Sequence, residues 1–336
     1  NIMQIIYNEK NKKGNEKMIK NLKELETKFQ FRDFPLNIGL EVGNYCNLNC
    51  IMCCNDTLKR KRGYMDMHLY RKIVDEIAEV SPNTRLWLDF YGEPLLARYK
   101  LYFMIDYAKK KGITNVNFNT NGTLLDDEMA EMLLDSGVDF ISVDVDGFSK
   151  EVYEKIRKGA DRDVVYNNVL NFVEKWKKRE GKKLYFEIKV IEMEENKHEV
   201  QQIVDYWLEK EVGVGVRVLN NWGGSLKTVK HDIKQDRIAC GNATGQLCIT
   251  WEGKVTVCAQ DCEAVLALGD LHSESLQEIW QKKRQFIERH MEHKFDELPE
   301  LCQQCTSWAL VGSEEHYSPT GEKYDRSYEF DDSMVQ

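Results

Sequence analysis

Leu36-Asn37-Ile38-Gly39-Leu40-Glu41-Val42 reads as a short apolar strand, and Cys46-Asn47-Leu48-Asn49-Cys50-Ile51-Met52-Cys53-Cys54 follows it almost at once. The thiols fall as C-x3-C-x2-C on a loop leaving the carboxyl end of a strand. Three thiolates so placed can ligate three irons of a cubane and leave the fourth open. A structural zinc site wants four protein ligands, usually as two separated pairs, and only the adjacent Cys54 offers a fourth here. Outward from this strand, short apolar runs alternate with longer amphipathic ones. Leu86 to Tyr91, Val116 to Asn119, Phe140 to Val145, Leu184 to Ile191 and Val214 to Leu219 read as further strands. Leu69 to Val80, Tyr99 to Lys110, Met129 to Leu134, Lys150 to Arg157 and Val200 to Lys210 read as the helices between them. Six strands with intervening helices predict an α/β fold with a parallel sheet. The repeat is shorter than the about 250 residues of a closed eight-stranded barrel, so a partial (β/α)6 barrel is expected. Ligands of such sheets gather at the carboxyl ends of the strands, where the cysteine loop stands.

The rest of the chain divides around this repeat. Residues 1–35 read as a charged N-terminal helical extension, with Met18, Ile19, Leu22 and Leu25 at helical spacing. Residues 36–225 form the barrel, 226–315 a smaller domain, and 316–336 a polar, irregular tail. Six of the ten cysteines lie in 226–315 around a hairpin, Gln246 to Trp251 and Lys254 to Ala259, turning at Glu252-Gly253. Ser273 to His290 reads as one helix with Ser273 as N-cap. The 336 residues carry a net charge of −9, which argues against a general nucleic-acid binder. No apolar run is long enough to cross a bilayer, so no membrane partner is expected. Clustered thiols without an apolar signal core place the chain in the cytoplasm, where cysteines more often bind metal than form disulfides.

With its neighbouring motifs, the C-x3-C-x2-C loop resembles radical S-adenosylmethionine (SAM) enzymes. After the second strand, Phe90-Tyr91-Gly92-Glu93-Pro94 resembles the family motif that holds the SAM amino group, with Glu93 accepting and Gly92 allowing close backbone approach. Asn119-Thr120-Asn121-Gly122 resembles the segment beside the SAM ribose; taken alone it is equally an Asx turn with a glycine cap. Asp144-Val145-Asp146-Gly147 and Tyr153-Glu154-Lys155-Ile156-Arg157-Lys158-Gly159 are similar to two further family motifs. The resemblance implies that Arg157 pairs with the SAM carboxylate and that Asp144, where the family has serine, meets the ribose. Met52 stands where an aromatic residue is usual and is expected, with Leu219, to contact the cofactor.

Cys240, then Gly253 and Cys258, then Cys302-Gln303-Gln304-Cys305 form a second set. Such a set could cage zinc or a cluster. It resembles the short twitch form of the SPASM extension of radical SAM enzymes, and the resemblance implies one auxiliary 4Fe-4S cluster on Cys240, Cys258, Cys302 and Cys305. Two 4Fe-4S clusters and SAM are then the cofactors, and a flavodoxin- or ferredoxin-type donor the electron source. The implied activity is hydrogen abstraction from a carbinol of a sugar- or aminocyclitol-like substrate, ending in oxidation or epimerisation. Asp261 is a candidate base, although a hairpin-end residue solvating amides explains it better, and Cys248 and Cys262 are candidate hydrogen-returning thiols. Radical modification of a ribosomal peptide is the rival activity. A non-catalytic metal-binding interaction module is the rival from another class, and a SAM clamp at Glu93 and Arg157 argues against it.

Overall fold

The computed structural model describes residues 23, 26–181, 183–310 and 314–324. The positions that suggested an N-terminal helix, Met18, Ile19, Leu22 and Leu25, lie outside the described residues, as does the tail from 325 onward.

Six strands stand side by side in chain order: β1 (Asn37–Leu40), β2 (Arg85–Trp87), β3 (Val116–Thr120), β4 (Phe140–Asp144), β5 (Tyr185–Glu192) and β6 (Gly213–Val218). Every neighbouring pair is parallel. Each connection is helical, as parallel crossovers require. They are α1 (Met67–Val80), α2 (Tyr99–Lys110), α3 (Asp127–Asp135), α4 (Lys150–Ile156) with α5 (Arg162–Lys178), and α6 (Val200–Glu209). Local chemistry sets the starts: Asp66, Asp126, Ser149 and Asp161 each accept a backbone N–H of the turn that follows. The buried faces of these helices and of the strands form one continuous core that includes Phe118, Phe172, Phe186 and Trp207.

Four expectations are corrected. Helix α5, absent from the sequence reading, buries Val165, Tyr166, Val169, Phe172, Val173 and Trp176 against the sheet. The cysteine-rich hairpin joins the barrel sheet: after the short helix α7 (Gly241–Gly245), β7 (Gln246–Ile249) pairs parallel with β1, and β8 (Lys254–Thr256) and β9 (Ala267–Asp270) continue the same sheet antiparallel. The helix after it begins at Ser275, whose capping box with Glu278 replaces the expected Ser273 cap. That helix also breaks at Lys283 into α8 (Leu276–Lys282) and α9 (Arg284–Met291). Finally, the tail is not irregular where it is described. β10 (Glu315–Tyr317) pairs antiparallel with β6, and β11 (Lys323–Tyr324) pairs with β10, giving eleven strands in one sheet.

Candidate active site

The cysteine loop is fixed from three sides. The Asn49 and Ile51 amides donate to the carbonyls of Lys158 and Ile156 beyond α4. Asn47 donates to Thr123 Oγ1 at 2.8 Å and accepts from Asn121 Nδ2 at 3.0 Å, which ties the loop to the end of β3. Asn44, at the loop's start, accepts from the Gly63 amide at 2.9 Å. Cys46, Cys50 and Cys53 are half-buried, and each thiol lies within electrostatic reach of Arg157 and of another thiol of the set. Burial raises Cys46, pushes Cys50 up to about 12 and Cys53 to about 11, so the free thiols are protonated at neutral pH. Cys54 turns away from them. It shares a thiol hydrogen bond with Cys262 beside Tyr91, which pushes the Cys54 thiol up and the Cys262 thiol down.

Gly92 permits the next contact. Its φ is 107°, and a Cβ there would meet the Gly43 carbonyl, the Tyr45 carbonyl at 2.8 Å and the Asn44 Cα at 2.9 Å. All three obstacles are backbone and cannot yield. Gly92→Ala should therefore lower the unfolding free energy by about 2–4 kcal/mol, read from the urea midpoint at constant slope.

Glu93 is buried and held by three donors: Thr120 Oγ1 at 2.6 Å, the Asn121 amide at 2.8 Å and the Leu95 amide at 3.0 Å. Burial outweighs these bonds and pushes its carboxyl from 4.5 up to about 7. A raised folded-state value favours the protonated form, so the folded chain keeps a proton that the unfolded chain loses above pH 4.5. Stability thus falls as pH rises between about 4.5 and 7, by about 3 kcal/mol for this group. Urea unfolding of the metal-free chain across that window should show this slope, and Glu93→Gln should remove it.

The remaining expected cofactor contacts divide. Met52 and Leu219 do come together, in an apolar patch with Ile156, Ile191 and Met193 beside Cys50. Arg157 is buried, with Nε and Nη2 on Asp146 Oδ2 at 2.7 and 2.6 Å and Nη2 3.3 Å from Asp144. Asn119 is engaged inside the sheet: its amide donates to Asp89 and accepts from Ser142 Oγ and from Lys189 Nζ at 2.8 Å. That geometry occupies the Asn119 side-chain carbonyl and leaves one N–H of its NH2 group. Asn121 likewise spends its carbonyl on the Thr123 amide and hydroxyl.

The sequence reading passed over Asp89 and gave Asp146 no role beyond its place in the Asp144-Val145-Asp146-Gly147 motif. Asp89 stands just beyond β2, partly exposed, with Oδ2 held by Asn119 and with burial pushing its carboxyl up to about 6. The sequence signal was present in both cases, an acid within two residues of a strand end.

Asp261, the candidate base, sits where the amide-solvating reading puts it. It is fully buried, and its oxygens accept from the Thr256 hydroxyl, the Val265 amide at 3.0 Å and the Leu266 amide at 2.8 Å. This is a loop-closing carboxylate. Cys248 is fully enclosed, its Sγ packed 3.2 Å from where a Gly39 Cβ would stand. Cys240, Cys258, Cys302 and Cys305 line one small cavity together with Arg237, His290, Gln260 and Ser307. Both His290 ring nitrogens, Gln260 Oε1 and Ser307 Oγ lack a hydrogen-bond partner there. Burial pushes the His290 imidazole down to about 3, so it is neutral. Four thiols and orphaned buried polar atoms converging on one space suit a multi-iron cluster.

Residues 40–206 match the radical SAM superfamily model, and residues 240–306 match an iron-sulfur cluster-binding SPASM domain; together these span more than half of the chain. The chain belongs to the radical SAM superfamily. Its radical SAM domain implies SAM and a 4Fe-4S cluster, and its SPASM domain implies auxiliary iron-sulfur ligation. Over 133 residues the chain is 35% identical to an uncharacterised protein of Methanocaldococcus jannaschii, covering 40% of this chain and 41% of that one. It is 23% identical to the S-adenosyl-L-methionine-dependent 2-deoxy-scyllo-inosamine dehydrogenase of Niallia circulans, over 83% of this chain and 96% of the relative. The fold is similar to BtrN in complex with AdoMet and 2-DOIA, with a TM-score of 0.60 and 20% identity over 88% of this chain and 98% of that one. It is also similar to Streptococcus suis SuiB bound to precursor peptide SuiA, with a TM-score of 0.60 and 14% identity over 77% and 66%. Among the described residues of the radical SAM chain, no helix is long and apolar enough to cross a membrane.

Proposed function

We propose that the protein cleaves SAM and abstracts a hydrogen atom from a carbinol carbon of a sugar- or aminocyclitol-like small molecule, oxidising it to the ketone. The observation that carries this reading is the sheet itself. β1 delivers the Cys46, Cys50 and Cys53 loop and pairs directly with β7, which follows Cys240 and whose hairpin partner β8 leads into Cys258, so one sheet carries the first ligand set and two of the auxiliary thiols. Cys46, Cys50 and Cys53 would hold the 4Fe-4S cluster, which when bound would supply the electron for reductive cleavage of SAM. Met52, Ile156 and Leu219 offer an apolar wall for the adenine, and the Arg157 guanidinium a partner for the SAM carboxylate. Cys240, Cys258, Cys302 and Cys305 would hold the auxiliary cluster, which would accept the one electron left on the substrate after the hydrogen atom and the proton depart, and a flavodoxin- or ferredoxin-type protein would reduce the first cluster.

Two features favour oxidation over epimerisation. Cys248 is enclosed, and Cys262 is engaged with Cys54, so neither thiol is presented as a hydrogen donor. Asp89, raised toward neutrality at the carboxyl end of β2, can instead take the proton that a carbinol oxidation releases.

Anaerobic reconstitution followed by SAM and dithionite should yield brown protein and 5′-deoxyadenosine. Mass spectrometry against a panel of amino- and neutral cyclitols should then find a product lighter by two hydrogens, which Asp89→Asn suppresses. A product formed only from peptide precursors would move the assignment to ribosomal-peptide modification. Colourless protein holding only zinc would end the enzymatic reading.

A further inference from the structure

Lys283 sits at the break between α8 and α9 with no solvent exposure. Its ammonium donates to the Gln246 carbonyl at the start of β7 and, at 2.7 Å, to the Val257 carbonyl just after β8. Among the described residues it makes no ion pair, yet it lies within electrostatic reach of Cys240, Cys258 and Cys302. The residues lining the cavity of those thiols include neither Asp nor Glu but do include Arg237, which donates to the Cys302 carbonyl at 2.7 Å; Lys283 stands behind that lining, on the carbonyl of Val257 next to Cys258. A cation buried without an anion is disfavoured in the metal-free chain. The arrangement makes electrostatic sense once four thiolates ligate an iron-sulfur core, because their charge outweighs that of the core and the group becomes an anion, more so on reduction.

Building on the ligand set proposed above, we infer that Lys283 is a positioning residue for the auxiliary cluster, whose fixed positive charge stabilises the reduced form and holds its reduction potential up. The two carbonyl contacts keep that charge against both strands of the hairpin that carries the ligands. Arg237 adds a second cation at the cavity wall. A lysine that merely braced the hairpin would act equally on the metal-free and the loaded chain; a charge partner acts in opposite directions on the two.

The test uses the full chain with Cys46, Cys50 and Cys53 replaced by Ala, so that the auxiliary cluster is read alone after anaerobic reconstitution with iron and sulfide. Lys283→Met removes the charge and keeps the stem, Lys283→Gln also keeps a donor for the carbonyls, and Lys283→Arg keeps the charge. In potentiometric titration followed by electron paramagnetic resonance, the two neutral variants should move the midpoint negative by at least about 59 mV, a tenfold change for one electron, while Lys283→Arg stays near the parent. In urea, the metal-free neutral variants should unfold at or above the parent midpoint. Loss of the cluster from both neutral variants with their metal-free fold intact would also support the assignment. An unmoved midpoint, or equal destabilisation of metal-free and loaded chains, would overturn it. If Lys283→Met does not fold, Lys283→Gln decides by the same measures. A parent that binds no four-iron cluster at this site would instead overturn the ligand set, and this inference with it.

Discussion

Replacing Cys50 with alanine should cut 5′-deoxyadenosine formation by more than about 100-fold and halve the iron bound after reconstitution, while metal-free unfolding hardly changes. Even residues that only orient metal ligands cost about 10–100-fold when removed, so loss of a ligand sets a larger effect. The stability side follows from position. Cys50 is half-exposed on a loop whose hold comes from backbone amides and from Asn47, and its Sγ accepts no hydrogen bond among the described residues. Truncating it opens little cavity. Cys54→Ala is the matched control, because it removes an adjacent thiol that faces Cys262 and Tyr91 instead of the other three. Iron content and product formation should survive it. The opposite pattern, with Cys54→Ala losing the cluster and Cys50→Ala keeping it, would reassign the ligands.

That control shows where the sequence is legible and where it is not. The strands from Leu36 to Leu219 could be read because each is a local apolar run bounded by turns, and the C-x3-C-x2-C spacing because its ligands are neighbours along the chain. The roles that escaped the sequence depend on partners far away in it. Cys54 and Cys262 meet across 208 positions, and nothing near either predicts the contact. Asn119 has the spacing of a cofactor residue, yet Ser142 on β4 and Lys189 on β5 occupy its side-chain carbonyl and Asp89 beyond β2 takes one of its N–H groups. Asp261 looked available until the sheet brought Thr256, Val265 and Leu266 onto its oxygens. Lys283, in a stretch rich in Lys, Arg and Glu, reads as part of a solvated helical face; only the helix break and the hairpin beneath it bury the ammonium. Helix α5 was missed for a different reason. Its buried positions do recur at helical spacing, but the helix before it already supplied the crossover that a β/α unit demands.

Arg157 is the position at which a structural and a cofactor role can be separated by energetics. Asp146 is fully buried, and among the described residues its side chain accepts, besides Arg157, only the Ile191 amide, at 2.7 Å. Arg157→Met should therefore leave an uncompensated buried carboxylate and cost about 3–5 kcal/mol in urea unfolding. Asp146→Asn should also destabilise, by stranding the guanidinium. The double variant removes both charges, so its loss should be smaller than the sum of the single losses, with a coupling energy of about 1–3 kcal/mol. If Arg157 serves the fold alone, recovery of stability in the double variant brings back SAM affinity in the reconstituted protein. If its guanidinium also meets the SAM carboxylate, stability recovers and SAM binding stays weak, because the amide at position 146 cannot replace a cation aimed at the cofactor. Equilibrium SAM binding measured beside urea unfolding on the same four proteins separates these outcomes. The clamp reading requires weak binding in Arg157→Met and in the double variant, with Asp146→Asn the least affected in binding.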